Sequence, residues 1–262
     1  VEFPLTQDVK PHDVADTFAS YINETSQKYI DNKNSIMGCG IAAMGPIIKS
    51  KGIIFHPYHF KSPDWNFVSI KDLIEFKTGV DTWVDNITQT ALLSEIIYGN
   101  YKDLSSAAYI SMDRGIGCAI YSQGILGLGS GDTNISNIGH IIIDLWGEKC
   151  SCGKRGCFET YASIDSIASK IRHIYPNIEE KIKQYTINDN FYQKAWNATP
   201  ELLAIRDCYN DLQSDQNILN YFDRLIEAIA VALYNFIYLT NPEKVFYAGR
   251  TVEQLDVIFN EA

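Results

Sequence analysis

The feature that most constrains this chain is a cluster of three cysteines within eight residues. The segment reads Cys150-Ser151-Cys152-Gly153-Lys154-Arg155-Gly156-Cys157, and a histidine stands ten residues before it. Three thiols cannot all pack as small apolar side chains in one short glycine-containing turn, whereas three cysteines and one histidine form a known tetrahedral ligand set for zinc. We therefore predict one zinc ion bound by His140, Cys150, Cys152 and Cys157. A Cys150–Cys157 disulfide and plain reduced thiols are the alternatives.

The composition of this loop also indicates what the metal would do. Gly153 and Gly156 have no Cβ, so the backbone can turn tightly enough for the sulfurs to face one ion. Four protein ligands leave no open position for a catalytic water. We therefore expect a structural zinc that holds the loop 139–159, which carries His140 and Glu159.

Composition and charge exclude several classes of protein. Hydrophobic residues make up 46% of the 262 residues and charged residues 21%, which is typical of a folded globular chain. The apolar runs are far shorter than a bilayer span, and Val1-Glu2-Phe3-Pro4 does not resemble a signal peptide, so we expect a cytoplasmic protein. A net charge of −10 argues against direct nucleic-acid binding by this chain, because phosphate binding needs clustered Lys and Arg.

Apolar periodicity predicts alternating helices and strands, and this alternation favours an α/β fold. The predicted helices cover 12–30, 70–77, 88–98, 160–174 and 218–238. The predicted strands cover 36–43, 52–55, 80–84, 107–112, 118–121 and 244–248. Residues 180–215 show no clear periodicity, and we assign no element there.

The cysteine cluster and its surroundings resemble the ROK family of sugar kinases and sugar-responsive transcriptional repressors. The family signature is Gly-Glu-x-Gly-His followed by Cys-x-Cys-Gly-x-x-Gly-Cys-Leu-Glu. Here the first segment ends in Asn137-Ile138-Gly139-His140, and the second ends in Cys157-Phe158-Glu159. Further segments that resemble the family lie at 38–48, 85–95, 115–117 and 241–249.

The resemblance covers nearly the whole chain apart from 180–215. It implies a two-lobed actin-like ATPase (ribonuclease H-like) architecture that begins after the family's first strands. We expect a smaller N-terminal lobe over 1–110 and a larger C-terminal lobe over 111–262.

Three departures from the family's kinases bear on activity. The resemblance places a catalytic Asp directly after Asn86, but this chain has Ile87 there, and isoleucine cannot accept a proton. Asn137 stands where the family has a sugar-contacting Glu. The kinases' first phosphate loop, Asp-x-Gly-Gly-Thr, does not occur in the sequence. We therefore predict no catalytic residues; a shifted alignment that makes Asp85 the base is the alternative.

The family's sugar contacts carry over to a small set of positions. The resemblance implies ligand binding by Gly45, Asn86, Asn137, His140 and Glu159. Asn86 has an alternative interpretation as the cap of helix 88–98, and Glu159 as a first-turn carboxylate favoured by the helix dipole.

Together these features predict a non-catalytic sugar-binding effector and oligomerisation domain of a ROK transcriptional regulator. Its expected partners are a sugar or sugar phosphate and further copies of the chain, as a homodimer or a higher oligomer, and no membrane. DNA would be contacted only through a helix-turn-helix outside this chain. The alternatives are a divergent kinase that phosphorylates a hexose or aminosugar with ATP, using Asp85, and a purely structural paralogue.

Overall fold

The chain has the mixed α/β fold that the sequence pattern predicts. The structure is a computed structural model, and it describes residues 9–29, 36–55, 57, 62–127, 129–133, 137–187, 199–212 and 215–255. The chain divides into two compact units. The first is Val1–Asp103 with Tyr121–Ser136, and the second is Leu104–Ile120 with Asn137–Ala262.

The first unit combines a parallel strand pair with a small antiparallel sheet. Its helices are α1 (Pro11–Tyr29), α2 (Ile70–Thr78) and α3 (Ile87–Tyr98), and its first strands are β1 (Cys39–Ala43), β2 (Ile47–Ile48), β3 (Ile53–Ile54), β4 (Val68–Ser69) and β5 (Thr82–Asn86). β1 and β5 run parallel, with Cys39 opposite Thr82 and Ala43 opposite Asn86. β2, β3 and β4 form the antiparallel sheet. This arrangement places the ends of β1 and β5 side by side.

Local signals in the sequence account for the ends of α2. The Ser69 hydroxyl accepts a hydrogen bond from the Asp72 backbone N–H, and Gly79 ends the helix in a left-handed conformation. Both features are the ones that the sequence predicts. Apolar side chains from α1, α2 and the strands form the core of this unit: Val14, Ala15, Ile47, Ile54, Trp65, Ile70, Ile74 and Val84.

The second unit packs helices around three longer strands. The strands are β6 (Ser106–Met112), β7 (Ile116–Ser122) and β9 (Lys244–Ala248), and the helices are α4 (Glu159–Ala162), α5 (Ile164–Ile174), α6 (Ile178–Ile187), α7 (Pro200–Asp211), α8 (Gln216–Thr240) and α9 (Arg250–Gln254). These three strands belong to a sheet of order β8-β7-β6-β9, in which β8 is the short strand Ile125–Leu126 of the segment Tyr121–Ser136. Phe158 and Phe222 are among the largest fully buried side chains of this core.

The helix α8 extends the predicted helix 218–238 to 25 residues. The Asp215 carboxylate accepts hydrogen bonds from two backbone N–H groups at its start, and Asn241 ends it in a left-handed conformation before Pro242. Its apolar stripe faces the core, which is why the 3.6-residue period is clear in the sequence. None of the described helices, α8 included, has the length and apolar content needed to cross a membrane.

One predicted helix is divided in the structure. α4 and α5 together replace the predicted helix 160–174, and Ser163 between them is extended at ψ 151°. The Ser163 hydroxyl accepts a hydrogen bond from the Ser166 N–H, so the serine caps a new helix instead of continuing the old one. The unassigned region 180–215 contains the rest of α6 and all of α7, while 188–198 and 213–214 lie outside the described residues.

The division into units differs from the single boundary after residue 110 that the sequence predicts. Residues 104–110 belong to the second unit because β6 pairs in parallel with β9, from Ala107 opposite Lys244 to Ser111 opposite Ala248. Residues 121–136 return to the first unit, where the Gln89 side-chain amide donates to the Gly127 carbonyl oxygen at 2.7 Å. The pairing of two strands that are 137 residues apart therefore decides to which unit residues 104–110 belong.

Candidate functional site

The structure gathers the four predicted metal ligands into one cluster. The ligand atoms of His140, Cys150, Cys152 and Cys157 all lie within 4.8 Å of one another. The Cys150 Sγ is 3.6 Å from the His140 Nδ1, and the Cys152 Sγ is 3.6 Å from the Cys157 Sγ. Sequence and structure therefore agree on which four side chains converge.

A tight hairpin in the backbone produces this convergence. The Cys150 N–H donates to the Lys154 carbonyl oxygen at 2.8 Å, and Lys149 forms an antiparallel bridge with Arg155. Gly156 has a φ of +65°, and a Cβ at this position would lie 1.6 Å from the Asp144 carbonyl oxygen. Only glycine fits there, which confirms the predicted role of Gly156 in closing the loop.

The spacing of the sulfur atoms distinguishes a metal site from a disulfide. A disulfide needs sulfurs about 2.05 Å apart, whereas all six cysteines of the chain are free. In a tetrahedral zinc site with Zn–S distances of about 2.3 Å, neighbouring sulfurs are roughly 3.8 Å apart. The observed 3.6 Å is close to that value. The donor set and its geometry therefore fit a tetrahedral metal ion.

The electrostatics of the thiols also favour a cation among them. Burial, together with the neighbouring thiols of Cys152 and Cys150, raises the pKa of Cys157 to about 12. Burial also raises the pKa of Cys152, but hydrogen bonds, first among them one from the Lys154 backbone, outweigh it and lower that pKa. Three thiolates packed this closely repel one another, so a divalent cation is what would hold them all ionised.

Glu159 lies beside the metal cluster without belonging to it. It is the first residue of α4 and only 8% exposed. Its Oε2 accepts a hydrogen bond from the Ile116 backbone N–H at 3.2 Å. The carboxylate therefore links the metal loop to the start of β7, a contact that the first-turn interpretation does not include.

Asn86 caps α3, as one interpretation of the sequence proposes. Its Oδ1 accepts a hydrogen bond from the Thr88 N–H at 2.9 Å, and its Nδ2 donates to the Gly45 carbonyl oxygen at 3.2 Å. The capping interpretation is confirmed. The structure thus joins two of the predicted ligand-binding residues, Asn86 and Gly45, within the first unit.

The remaining predicted contact, Asn137, lies in the second unit with His140 and Glu159. It is exposed and starts the 3₁₀ turn Ile138–His140, where its carbonyl oxygen accepts a hydrogen bond from the His140 N–H at 3.0 Å. The turn therefore fixes the spacing between Asn137 and His140.

The two residues at the predicted base position have different surroundings. Ile87 is the first residue of α3, and 48% of it is exposed. Asp85 forms an ion pair with Lys49, with the Lys49 Nζ 2.5 Å from its Oδ2, and its Oδ1 accepts a hydrogen bond from the Asn86 N–H at 2.8 Å. Neither Oδ atom of Asp85 is free of a partner.

Sequence reasoning missed a charged contact in the turn between β6 and β7. Arg250 donates to both carboxylate oxygens of Asp113, at 2.7 and 2.5 Å. Burial alone would raise the pKa of Asp113, but these hydrogen bonds outweigh it and lower the pKa below its usual value. The two residues are 137 positions apart, so no local pattern could have paired them.

The fold and the cysteine-rich loop define a protein of the actin-like ATPase architecture. The chain belongs to the ROK family, whose family model matches residues 3–261.

Its relatives include both enzymes and regulators. A glucokinase of Thermotoga maritima is 27% identical over 221 residues, which cover 84% of this chain and 66% of the glucokinase. A xylose repressor of Bacillus spizizenii is 26% identical over 225 residues, which cover 86% of this chain and 51% of the repressor. The chain therefore spans about half to two thirds of the length of these two relatives.

Solved structures agree on the fold. A ROK family transcriptional regulator, described as a homologue of the E. coli MLC protein, matches with a TM-score of 0.70 at 24% identity. The match covers 97% of this chain and 59% of that regulator.

Proposed function

We propose that this chain is the non-catalytic, sugar-responsive effector and oligomerisation part of a ROK transcriptional regulator. The observation that carries the proposal is Ile87. It directly follows the helix-capping Asn86, at the position where the family resemblance expects the general base of the kinases. A hydrocarbon side chain cannot take a proton from a sugar hydroxyl.

The surroundings of Asp85 support the same conclusion. A general base needs a carboxylate oxygen within hydrogen-bond reach of the substrate hydroxyl. Asp85 instead pairs with Lys49 and accepts the Asn86 N–H. A neighbouring ammonium group favours the charged carboxylate and makes it a weaker base.

For the sugar or sugar phosphate, we propose contacts with the five residues that resemble the family's binding set. Asn86 and Gly45 would act as a pair that is already positioned by their hydrogen bond. Glu159 is fixed by the Ile116 N–H, and His140 by the metal cluster. Asn137 would offer an exposed amide from the same turn as His140. Preorganised polar groups of this kind are what a carbohydrate site needs.

We further infer that the cluster of one histidine and three cysteines holds a structural zinc ion. All four positions would be filled by protein, so the ion would fix the loop and supply no bound water for catalysis. DNA contacts of the whole protein would be made by a helix-turn-helix outside these 262 residues, since the net charge here is −10.

The second candidate function is a divergent sugar kinase, favoured by the similarity to a glucokinase and by the presence of Asp85. A coupled ATP assay with common hexoses and aminosugars separates the two. We expect background turnover for the wild type. Turnover that disappears in Asp85→Asn and persists in Asp81→Asn, the matched control on the same segment, would contradict the effector proposal and establish the kinase.

A further inference from the structure

A cavity of about 660 Å³ lies within the second unit, between the metal loop (residues 139–159) and helices α5 and α8. The loop contributes Trp146, Glu148 and Arg155, α5 contributes Lys170, and α8 contributes Arg224. Neither Glu159 nor any residue of the metal cluster is among the described residues that line it. Its volume is that of a typical small-molecule site.

The charge of this cavity is opposite to that of the chain. The chain has a net charge of −10. The cavity, however, is lined by three cationic side chains and two carboxylates: Arg155, Lys170 and Arg224, with Asp144 and Glu148. Glu148 is already paired with Lys170, and Asp144 accepts a hydrogen bond from the Tyr161 hydroxyl at 2.6 Å. Together with that hydrogen bond, the positive charge of Arg224 helps to lower the pKa of the nearby Asp144, but Arg224 forms no hydrogen bond or ion pair within 4 Å with any residue that the structure describes. Its guanidinium is therefore available to an anionic ligand.

Two aromatic residues that line the cavity also favour a bound ligand. Trp146 lines the cavity and is 91% exposed, and exposure of so much apolar surface to water is unfavourable. Tyr221 also lines the cavity, and its buried hydroxyl has no hydrogen-bond partner among the described residues. A buried hydroxyl without a partner is unfavourable, and a ligand oxygen would satisfy it.

We propose that this cavity is a second ligand site, which binds a small phosphate ester carried on a ring. The Arg224 guanidinium contacts the phosphate, and the Trp146 indole packs against the apolar face of the ring. The site is separate from the sugar contacts proposed at Glu159. Because Trp146 lies between His140 and Cys150 in the chain, the bound ligand braces the metal loop against α8.

Titration calorimetry on the full chain tests this site, with glucose 6-phosphate and inorganic phosphate as the probes. We expect Arg224→Gln to weaken the binding of both by about tenfold or more, the loss typical of a charge-assisted hydrogen bond. Arg172→Gln is the matched control, since it removes the same charge from α5 outside the cavity and should change neither affinity. Glu159→Gln should also leave the Arg224-dependent binding in place.

A second variant separates the ring from the phosphate. Trp146→Ala should weaken glucose 6-phosphate several-fold and leave inorganic phosphate unchanged, and its exposed position makes a folding defect unexpected. Circular dichroism melts should match the wild type for both cavity variants. Inorganic-phosphate binding that survives Arg224→Gln, equal losses in Arg224→Gln and Arg172→Gln, or no heat from either probe at millimolar concentration would overturn the proposal.

Discussion

The contact between Glu159 and the start of β7 leads to a prediction that separates structure from ligand binding. The Glu159 Oε2 accepts the Ile116 backbone N–H at 3.2 Å, and both residues are buried. Glu159→Ala leaves that N–H without its acceptor, which costs about 1–3 kcal/mol. For a chain of this size, each kcal/mol corresponds to roughly 2–4 °C in melting temperature. We therefore expect the alanine variant to melt several degrees lower.

Glu159→Gln is the matched variant, because the amide oxygen can still accept the Ile116 N–H while the negative charge is lost. We expect it to cost less than about 1 kcal/mol. Both variants should keep the zinc content of the wild type, since the carboxylate is not among the clustered ligand atoms. Under the proposed function, both should lose the thermal stabilisation that an effector sugar gives, whereas stabilisation by a phosphate ester bound at Arg224 should remain.

The assay is a thermal-shift screen of monosaccharides and their phosphates, combined with elemental analysis of each variant. An alanine variant as stable as the wild type would refute the hydrogen bond between Glu159 and β7. Zinc loss in the glutamine variant would refute the separation between the carboxylate and the metal cluster. A ligand that stabilises wild type and Glu159→Gln equally would place its site elsewhere.

Three further predictions concern the clustered cysteines, Asp113 and the oligomeric state. Cys152→Ser should reduce the zinc content and the melting temperature, whereas Cys39→Ser, a cysteine outside the cluster, should retain zinc; zinc-to-protein ratios by elemental analysis decide this. The lowered pKa of Asp113 means that its stabilising contribution is present above the unfolded pKa and is lost as the pH falls through the folded pKa. In Asp113→Asn, the free energy of unfolding should therefore fall less steeply as the pH drops below about 4, as measured by acid unfolding followed with circular dichroism. Light scattering at micromolar concentration should give at least a dimer, and a monomer would contradict the oligomerisation role.

Elements with local signals could be predicted from the sequence. β9 has the predicted bounds, α2 has the predicted cap and end, and α8 contains the whole predicted helix. These features depend on residues within one or two helical turns of each other. Ser163 is the informative failure, because the helical period continues across it while its hydroxyl caps a new helix.

The sequence by itself determined the four side chains of the metal cluster, because they lie within 18 positions and a short glycine hairpin brings them together. Only the tertiary structure decided what Glu159 holds, which cation neutralises Asp113, and where the two units divide. The partner of Glu159 is 43 residues away in the chain, and the partner of Asp113 is 137 residues away. The division into units depends on the pairing of β6 with β9, which are also 137 residues apart. Contacts at such distances are set by the packing of whole elements, and no spacing in the chain encodes them. The cavity beside Arg224 is of the same kind, since its charge arises only when the loop, α5 and α8 meet.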